Sequence, residues 1–133
     1  VKPNTDELAE VLGHSVTGRA EQQQAASQLL ASGIEHVVVS QGEHGVSWYR
    51  AGGVLHAQPP QVRVASTVGA GDSLVAGMVH GLLQGEAPAQ TLRCATAIAA
   101  QAVTQVGFGI RDSAQLEQLQ AGVHITEQQE ACR

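Results

Sequence analysis

Two glycines and a carboxylate lie close together in the segment Ser66–Ser73, which reads STVGAGDS. Gly69 and Gly71 flank one small residue, and Asp72 follows where an amphipathic stretch predicts a helix. Glycine permits backbone conformations in which successive N–H groups converge, and a helix N-terminus adds unpaired N–H groups and the positive end of a dipole. This segment can therefore bind a phosphoryl group, with a carboxylate beside it to act as a base.

The chemistry that this arrangement favours is phosphoryl transfer to a hydroxyl group. The transition state of that reaction is loose and asks little of its base, so a carboxylate is sufficient. A Walker A loop is excluded because it needs a lysine next to its serine or threonine, and the only lysine is Lys2. A dinucleotide-binding loop would need a third glycine where Leu74 stands. An alternative remains open, in which Asp72 only caps a helix and the glycines only form a turn.

Periodic patterns in the rest of the chain predict helices and strands that would position this segment. The β-branched run within Ile34–Ser40 predicts a strand buried on both faces, which is typical of a parallel sheet covered by helices. Two alternating runs around Gly52-Gly53 predict a hairpin of Val46–Arg50 and Val54–Gln58. The other predicted elements are helices from Asn4 or Thr5 to Gly13, Arg19–Ser32, Asp72–Gln84, Pro88 to about Thr104 and Ser113–Leu119, a short strand at Val62–Val64, and a frayed tail over Glu127–Arg133.

The composition is that of a globular chain of one domain or part of one. The 133 residues are 43% hydrophobic and carry a net charge of −5, and this acidic balance argues against nucleic acid or an anionic membrane as a partner. No apolar run reaches the roughly 20 residues that a membrane helix needs. Two distant cysteines and scattered histidines predict no structural metal site. The opening Val1-Lys2-Pro3 looks like the end of a strand, so we expect a C-terminal portion of a longer fold.

Three segments, in order along the chain, resemble motifs of the PfkB/ribokinase family of sugar kinases. Ser66–Ser73 resembles the C-terminal signature of the family, and Val1–Glu7 and Ser40–Gly45 resemble two further motifs. Together they extend over nearly the whole chain. Many family members carry Asp at the position of Ser66, whereas the Ser-Thr-Val form resembles the bacterial branch that phosphorylates fructose 1-phosphate.

The resemblance implies a fold and an activity. The fold would be the C-terminal portion of a ribokinase-like, three-layer α/β domain, with a mostly parallel sheet and helices on both faces, and residues 1–133 would form its nucleotide-binding and catalytic part. The activity would be phosphorylation of fructose 1-phosphate to fructose 1,6-bisphosphate in the cytoplasm. ATP and Mg²⁺ would be the cofactors, a sugar phosphate and ATP the partners, and a homodimer the assembly to consider for the complete enzyme.

The resemblance also implies roles for single residues near the glycine pair. Asp72 would be the catalytic base, and it would contact the substrate together with Thr67. The backbone of Gly69, Ala70 and Gly71 would form the anion hole.

The two upstream motifs imply contacts to the nucleotide and its metal. Ser40, Gly42 and Gly45, together with Gly71 and Gly107, would bind the nucleotide, with Ala99 and Ala102 near the adenine. Asn4 and Glu7 would influence Mg²⁺, through water. Simpler explanations stay open, because Asn4 and Glu7 also fit a helix capping box and Ser40–Gly45 also fits an ordinary turn between strands.

Two alternatives to the fructose 1-phosphate activity also stay open. One is a different sugar or nucleoside kinase of the same family, acting on tagatose 6-phosphate, ribose or adenosine. The other is a non-catalytic nucleotide-binding fragment. Because the family's sugar contacts lie mostly in its N-terminal part, we expect this chain by itself to be inactive.

Overall fold

The computed structural model describes residues 1–105 and 112–128. The predicted nucleotide contact Gly107 therefore lies outside the described residues. The elements in chain order are α1 (Thr5–Leu12), α2 (Gly18–Ala31), β1 (Val37–Ser40), a 3₁₀ turn (Gly42–His44), β2 (Val46–Arg50), β3 (Gly53–Gln58), α3 (Ala70–Gln84), α4 (Pro88–Val103), α5 (Ser113–Ala121) and β4 (His124–Gln128).

The sheet has the strand order β1-β2-β3-β4, and each neighbouring pair is antiparallel. The mostly parallel sheet that we predicted is not confirmed by these strands, because tight connections such as the one at Gly52 (φ 97°) can join only antiparallel neighbours. The N-terminal residues do run parallel to β1. The Val38 N–H donates to the Val1 carbonyl at 2.8 Å, and Asn4 forms a parallel bridge with Ser40.

Helices cover both faces of the sheet, as predicted. Val38, Trp48 and Leu55 belong to a core with α3 and α4, whereas Val37 and Val39 face α1 and α2. Successive residues of a strand point to opposite faces, so the consecutive valines of β1 are all buried. No helix within residues 1–105 and 112–128 is long and apolar enough to cross a membrane.

Two predicted elements were wrong, although the predicted helices and the hairpin are confirmed to within a few residues at their ends. Val62–Val64 forms no strand, and Val64 is 60% exposed in the segment before α3. Of the tail that we expected to fray over Glu127–Arg133, Glu127 and Gln128 instead belong to β4 and pair with β3, and the remainder lies outside the described residues. This strand is largely polar, and its backbone pairing with β3 holds it in place.

Helices α3 and α4 pack closely because α3 presents glycines to α4. A Cβ atom on Gly77 would lie 2.6 Å from the Cα of Ala95, and one on Gly81 would lie 2.5 Å from the Oγ1 of Thr91. Both distances are too short for a normal contact. The helix axes can therefore approach this closely only while these two positions lack side chains.

We expect Gly77→Ala to destabilise the fold, although alanine is the better helix former. Overpacking of a tight interface costs about 1–3 kcal/mol, which exceeds the gain of up to about 1 kcal/mol in helix propensity. Urea unfolding followed by circular dichroism measures the difference. The control is Ala76→Ser, which adds one atom at the neighbouring exposed position, and an equal or higher unfolding free energy for Gly77→Ala would refute the close-packing explanation.

Candidate active site

The N-terminus of α3 leaves backbone donors unpaired at the predicted phosphate site. Gly69 is the N-cap and adopts a left-handed conformation (φ 85°) that favours glycine. The Ser73 N–H makes the first bond of the helix, to the Gly69 carbonyl at 2.9 Å. Within the described chain, the N–H groups of Gly71 and Asp72 have no backbone acceptor. These two donors are available to an anion.

Asp72 is the third residue of α3, and its side chain is exposed. The N-cap of this helix has no side-chain hydrogen bond, so Asp72 does not act as the cap. The capping alternative that the sequence left open is therefore not the arrangement in the structure. The backbone N–H of Asp72 is one of the two unpaired donors, and its side chain is accessible to solvent.

A cleft of about 680 Å³ lies between the Gly42–His44 turn, the segment before α3, the first turn of α3, and α4. Its volume is within the range of about 300–1,000 Å³ that is usual for small-molecule sites. The predicted residues that line it are Ser40, Gly42, Thr67, Ala70, Gly71 and Ala99, whereas Gly69, Asp72 and Ala102 are not among its lining residues. Two motifs that are separate in sequence thus contribute to one cleft.

Gly45 is not part of the cleft lining but lies against the neighbouring strand. Its φ is 104°, and a Cβ atom there would collide with the carbonyl oxygen of Ala57 and approach the His56 ring nitrogen to 2.9 Å. This position therefore requires glycine for backbone packing against β3. Its predicted contact with the nucleotide stays a prediction.

Asn4 and Glu7 form the capping box that we considered as their alternative role. The Glu7 N–H donates to Asn4 Oδ1 at 2.8 Å, and the Asn4 N–H donates to Glu7 Oε2 at 2.9 Å. Their side chains lie outside the cleft lining, although the parallel bridge places Asn4 beside Ser40. The described residues contain no cluster of three His, Cys, Asp or Glu that could hold a metal. The predicted influence of Asn4 and Glu7 on Mg²⁺ stays a prediction.

Lys2 is a candidate functional residue that our motif analysis missed. Its ammonium nitrogen lies 3.2 Å from the point where a Cβ atom on Gly71 would stand, so it is next to the first turn of α3. The absence of an adjacent lysine excluded a Walker A loop, yet the fold brings a distant lysine to the same place. A signal was available, since Lys2 is the only lysine and lies two residues before Asn4.

Thr96 is a second residue that the sequence analysis did not single out. It lies on α4 in the cleft wall and is 2% exposed, and its hydroxyl has no hydrogen-bond partner among the described residues. Val103 ends the same helix and also lines the cleft, and its carbonyl accepts hydrogen bonds from the N–H groups of Ala65 and Ser66. The wall formed by α4 is thus tied to the segment that leads into α3.

The layered α/β fold is ribokinase-like. The solved structure of Arabidopsis thaliana ribokinase with ribose and ATP superposes with a TM-score of 0.81 at 24% identity, which establishes the fold; the match covers 90% of this chain and 39% of ribokinase. Phosphofructokinase-2 from Escherichia coli, solved in complex with substrates and products, superposes with a TM-score of 0.83 at 30% identity over 91% of this chain and 39% of that one.

Residues 1–114 match the family described as pfkB family carbohydrate kinase. The chain belongs to this family, which confirms the resemblance seen in the three motifs. A 1-phosphofructokinase from Vibrio cholerae is 45% identical over 126 residues, which is 95% of this chain and 40% of the relative. The chain therefore spans about two fifths of the length of the curated relatives that it matches.

Proposed function

We propose that this chain is the C-terminal nucleotide-binding and catalytic portion of an ATP-dependent sugar-phosphate kinase, whose substrate is fructose 1-phosphate and whose product is fructose 1,6-bisphosphate. The observation that carries the proposal is that Ser40 and Gly42 share one cleft with Thr67 and Gly71, and Gly71 directly precedes Asp72 in the first turn of α3. The similarity to 1-phosphofructokinase supports the choice of sugar phosphate. A homodimer of the complete enzyme is part of the same proposal.

The first turn of α3 would stabilise the phosphoryl group during transfer. Charge spreads over the equatorial oxygens in the transition state, and fixed donors aimed at those oxygens lower its energy. The N–H groups of Gly71 and Asp72 supply two such donors. The ammonium of Lys2, at the same helix end, adds a full positive charge without requiring a Walker A loop.

Asp72 would accept the proton of the attacking sugar hydroxyl. As the oxygen forms its bond to phosphorus, the O–H proton passes to the carboxylate, and the leaving diphosphate retains the electron pair of the broken P–O bond. Thr67, which lines the cleft close to this corner, would contact the sugar together with Asp72.

The nucleotide would lie between the Gly42–His44 turn and α4. Ser40 and Gly42 border one side of the cleft, and the small side chains of Ala99 and Ala100 leave room for a flat base on the other. The unpartnered hydroxyl of Thr96 lies in the same wall. Bound Mg²⁺ would neutralise phosphate charge, with Asn4 and Glu7 orienting its waters.

Substitution of Asn4 by serine separates its capping role from its metal role. Serine caps a helix about as well as asparagine, so the free energy of unfolding should be unchanged for Asn4→Ser. If the amide also orients waters on Mg²⁺, the Mg²⁺ concentration for half-maximal turnover should rise about tenfold. Asn4→Ala should show both defects, with about 1 kcal/mol lost from stability. An unaltered Mg²⁺ requirement for Asn4→Ser would leave Asn4 with the capping role alone.

The proposed activity is tested by assaying the full-length protein with ATP and Mg²⁺ against a panel of acceptors. We expect turnover with fructose 1-phosphate, and much lower kcat/KM with tagatose 6-phosphate, ribose and adenosine. A clear preference for one of those acceptors would instead identify another kinase of the family. ATP binding without turnover on any acceptor would identify a non-catalytic nucleotide-binding protein.

A further inference from the structure

We propose that Gln58 is a positioning residue, whose side-chain amide holds the Gly42–His44 turn in the shape that receives the nucleotide phosphates. The inference rests on the proposed function, since it assigns a support to one wall of the same cleft. Gln58 is the last residue of β3 and lies outside the three motifs that revealed the family.

A side-chain hydrogen bond joins β3 to this turn. Gln58 Nε2 donates to the backbone carbonyl of Glu43 at 2.8 Å, across 15 positions of sequence. Gln58, Gly42 and Glu43 all line the cleft, so the bond lies at the cleft wall. The partner is a backbone atom, and the bond therefore fixes the path of the main chain rather than the side chain of Glu43.

Within the described residues, the rest of the turn is held by short-range bonds, by packing on one side, and by a contact between the His56 ring of β3 and the His44 backbone. The His44 N–H donates to the Gln41 carbonyl at 3.0 Å, and the Gly45 N–H donates to the Gly42 carbonyl at 3.1 Å. Glycines with positive φ bound the turn at both ends, which leaves its backbone little intrinsic restraint. The hydrogen bond from the Gln58 side-chain amide joins Glu43, the middle residue of the turn, to β3.

Strand β3 thus restrains the turn at several points. The close approach of Gly45 to Ala57 fixes the end of the turn, and Gln58 fixes its centre. Gln58 itself is held by backbone pairing with His124 of β4. A rigid strand can therefore set where the turn stands relative to the first turn of α3, across the cleft.

The test is Gln58→Met, which keeps the length of the side chain and removes the donor. We expect the KM for ATP to rise roughly three- to tenfold, as for the loss of one neutral hydrogen bond, with kcat within about twofold of the parent because α3 is untouched. The matched control is Gln24→Met, an exposed glutamine on α2 with no hydrogen bond described. A fall in kcat at constant KM, or parental values for both, would overturn the proposal.

Amide hydrogen exchange of the full chain provides a readout that does not depend on catalysis. Gln58→Met should speed exchange at His44 and Gly45 while leaving the amides of α4 unchanged, and Gln24→Met should alter neither. Unchanged exchange at the turn would refute the support role even if the kinase activity is confirmed. Faster exchange at the turn in a protein that fails to bind ATP would be consistent with the support role of Gln58 but would refute the proposed function.

Discussion

Asp72→Asn is expected to lower turnover about 10²–10⁴-fold, because an amide cannot accept the hydroxyl proton. The shape of the side chain is conserved, and Asp72 makes no cap that could be lost. The missing charge at the helix N-terminus should cost only about 0.3–1 kcal/mol of stability. Steady-state kinetics with fructose 1-phosphate, together with urea unfolding and ATP binding, separate these quantities.

The control for this substitution is Asp6→Asn, which removes a carboxylate from the first turn of another helix, α1. It should produce a similarly small change in unfolding free energy and leave kcat unaltered. If Asp72→Asn retains near-parental turnover, Asp72 is not the base. A large loss of stability in Asp72→Asn would show that the side chain supports the fold instead.

Lys2→Met is expected to lower kcat/KM for ATP by about tenfold to a hundredfold, the amount associated with one hydrogen bond to a charged group. The Lys2 ammonium is the positive charge next to Gly71, and methionine retains most of the side-chain length without it. Steady-state kinetics at varied ATP concentration measure this loss. Lys2→Arg should recover part of the rate, since a guanidinium keeps the charge but differs in shape.

Arg19→Met is the control for the change in net charge. Arg19 lies on α2, on the face of the sheet opposite α3, so its loss should leave kcat/KM unaltered. Equal effects of Arg19→Met and Lys2→Met would indicate that only the overall charge of the protein matters. Parental kcat/KM in Lys2→Met would remove Lys2 from the proposed mechanism.

The elements that the sequence predicted well are those whose signals are local. The apolar periodicity of α3 and α4, and the glycines between β2 and β3, depend on neighbouring residues alone. The two failures depend on distant partners. Val62–Val64 alternates like a strand but pairs with no strand in residues 1–105 and 112–128, whereas polar β4 has no apolar pattern and forms because β3 offers it an edge.

The same distinction between local signals and distant contacts applies to the residues of the candidate site. The motifs predicted that Gly42 and Gly71 both serve the nucleotide, and the fold does bring them to one cleft, although their roles remain proposals. Lys2 was missed because its closeness to Gly71 is a tertiary contact that no local spacing encodes. Gln58 was missed for the same reason. Its partner is a backbone carbonyl, which every residue type carries, so the sequence does not reveal this hydrogen bond.

A crystal structure of the full-length protein with a non-hydrolysable ATP analogue and Mg²⁺ would test the central claim most directly. We predict the terminal phosphate at the N–H groups of Gly71 and Asp72, within reach of Lys2, and the base against Ala99 and Ala100 of α4. An analogue bound with its phosphates away from the first turn of α3, or outside this cleft, would contradict the assignment of the active site.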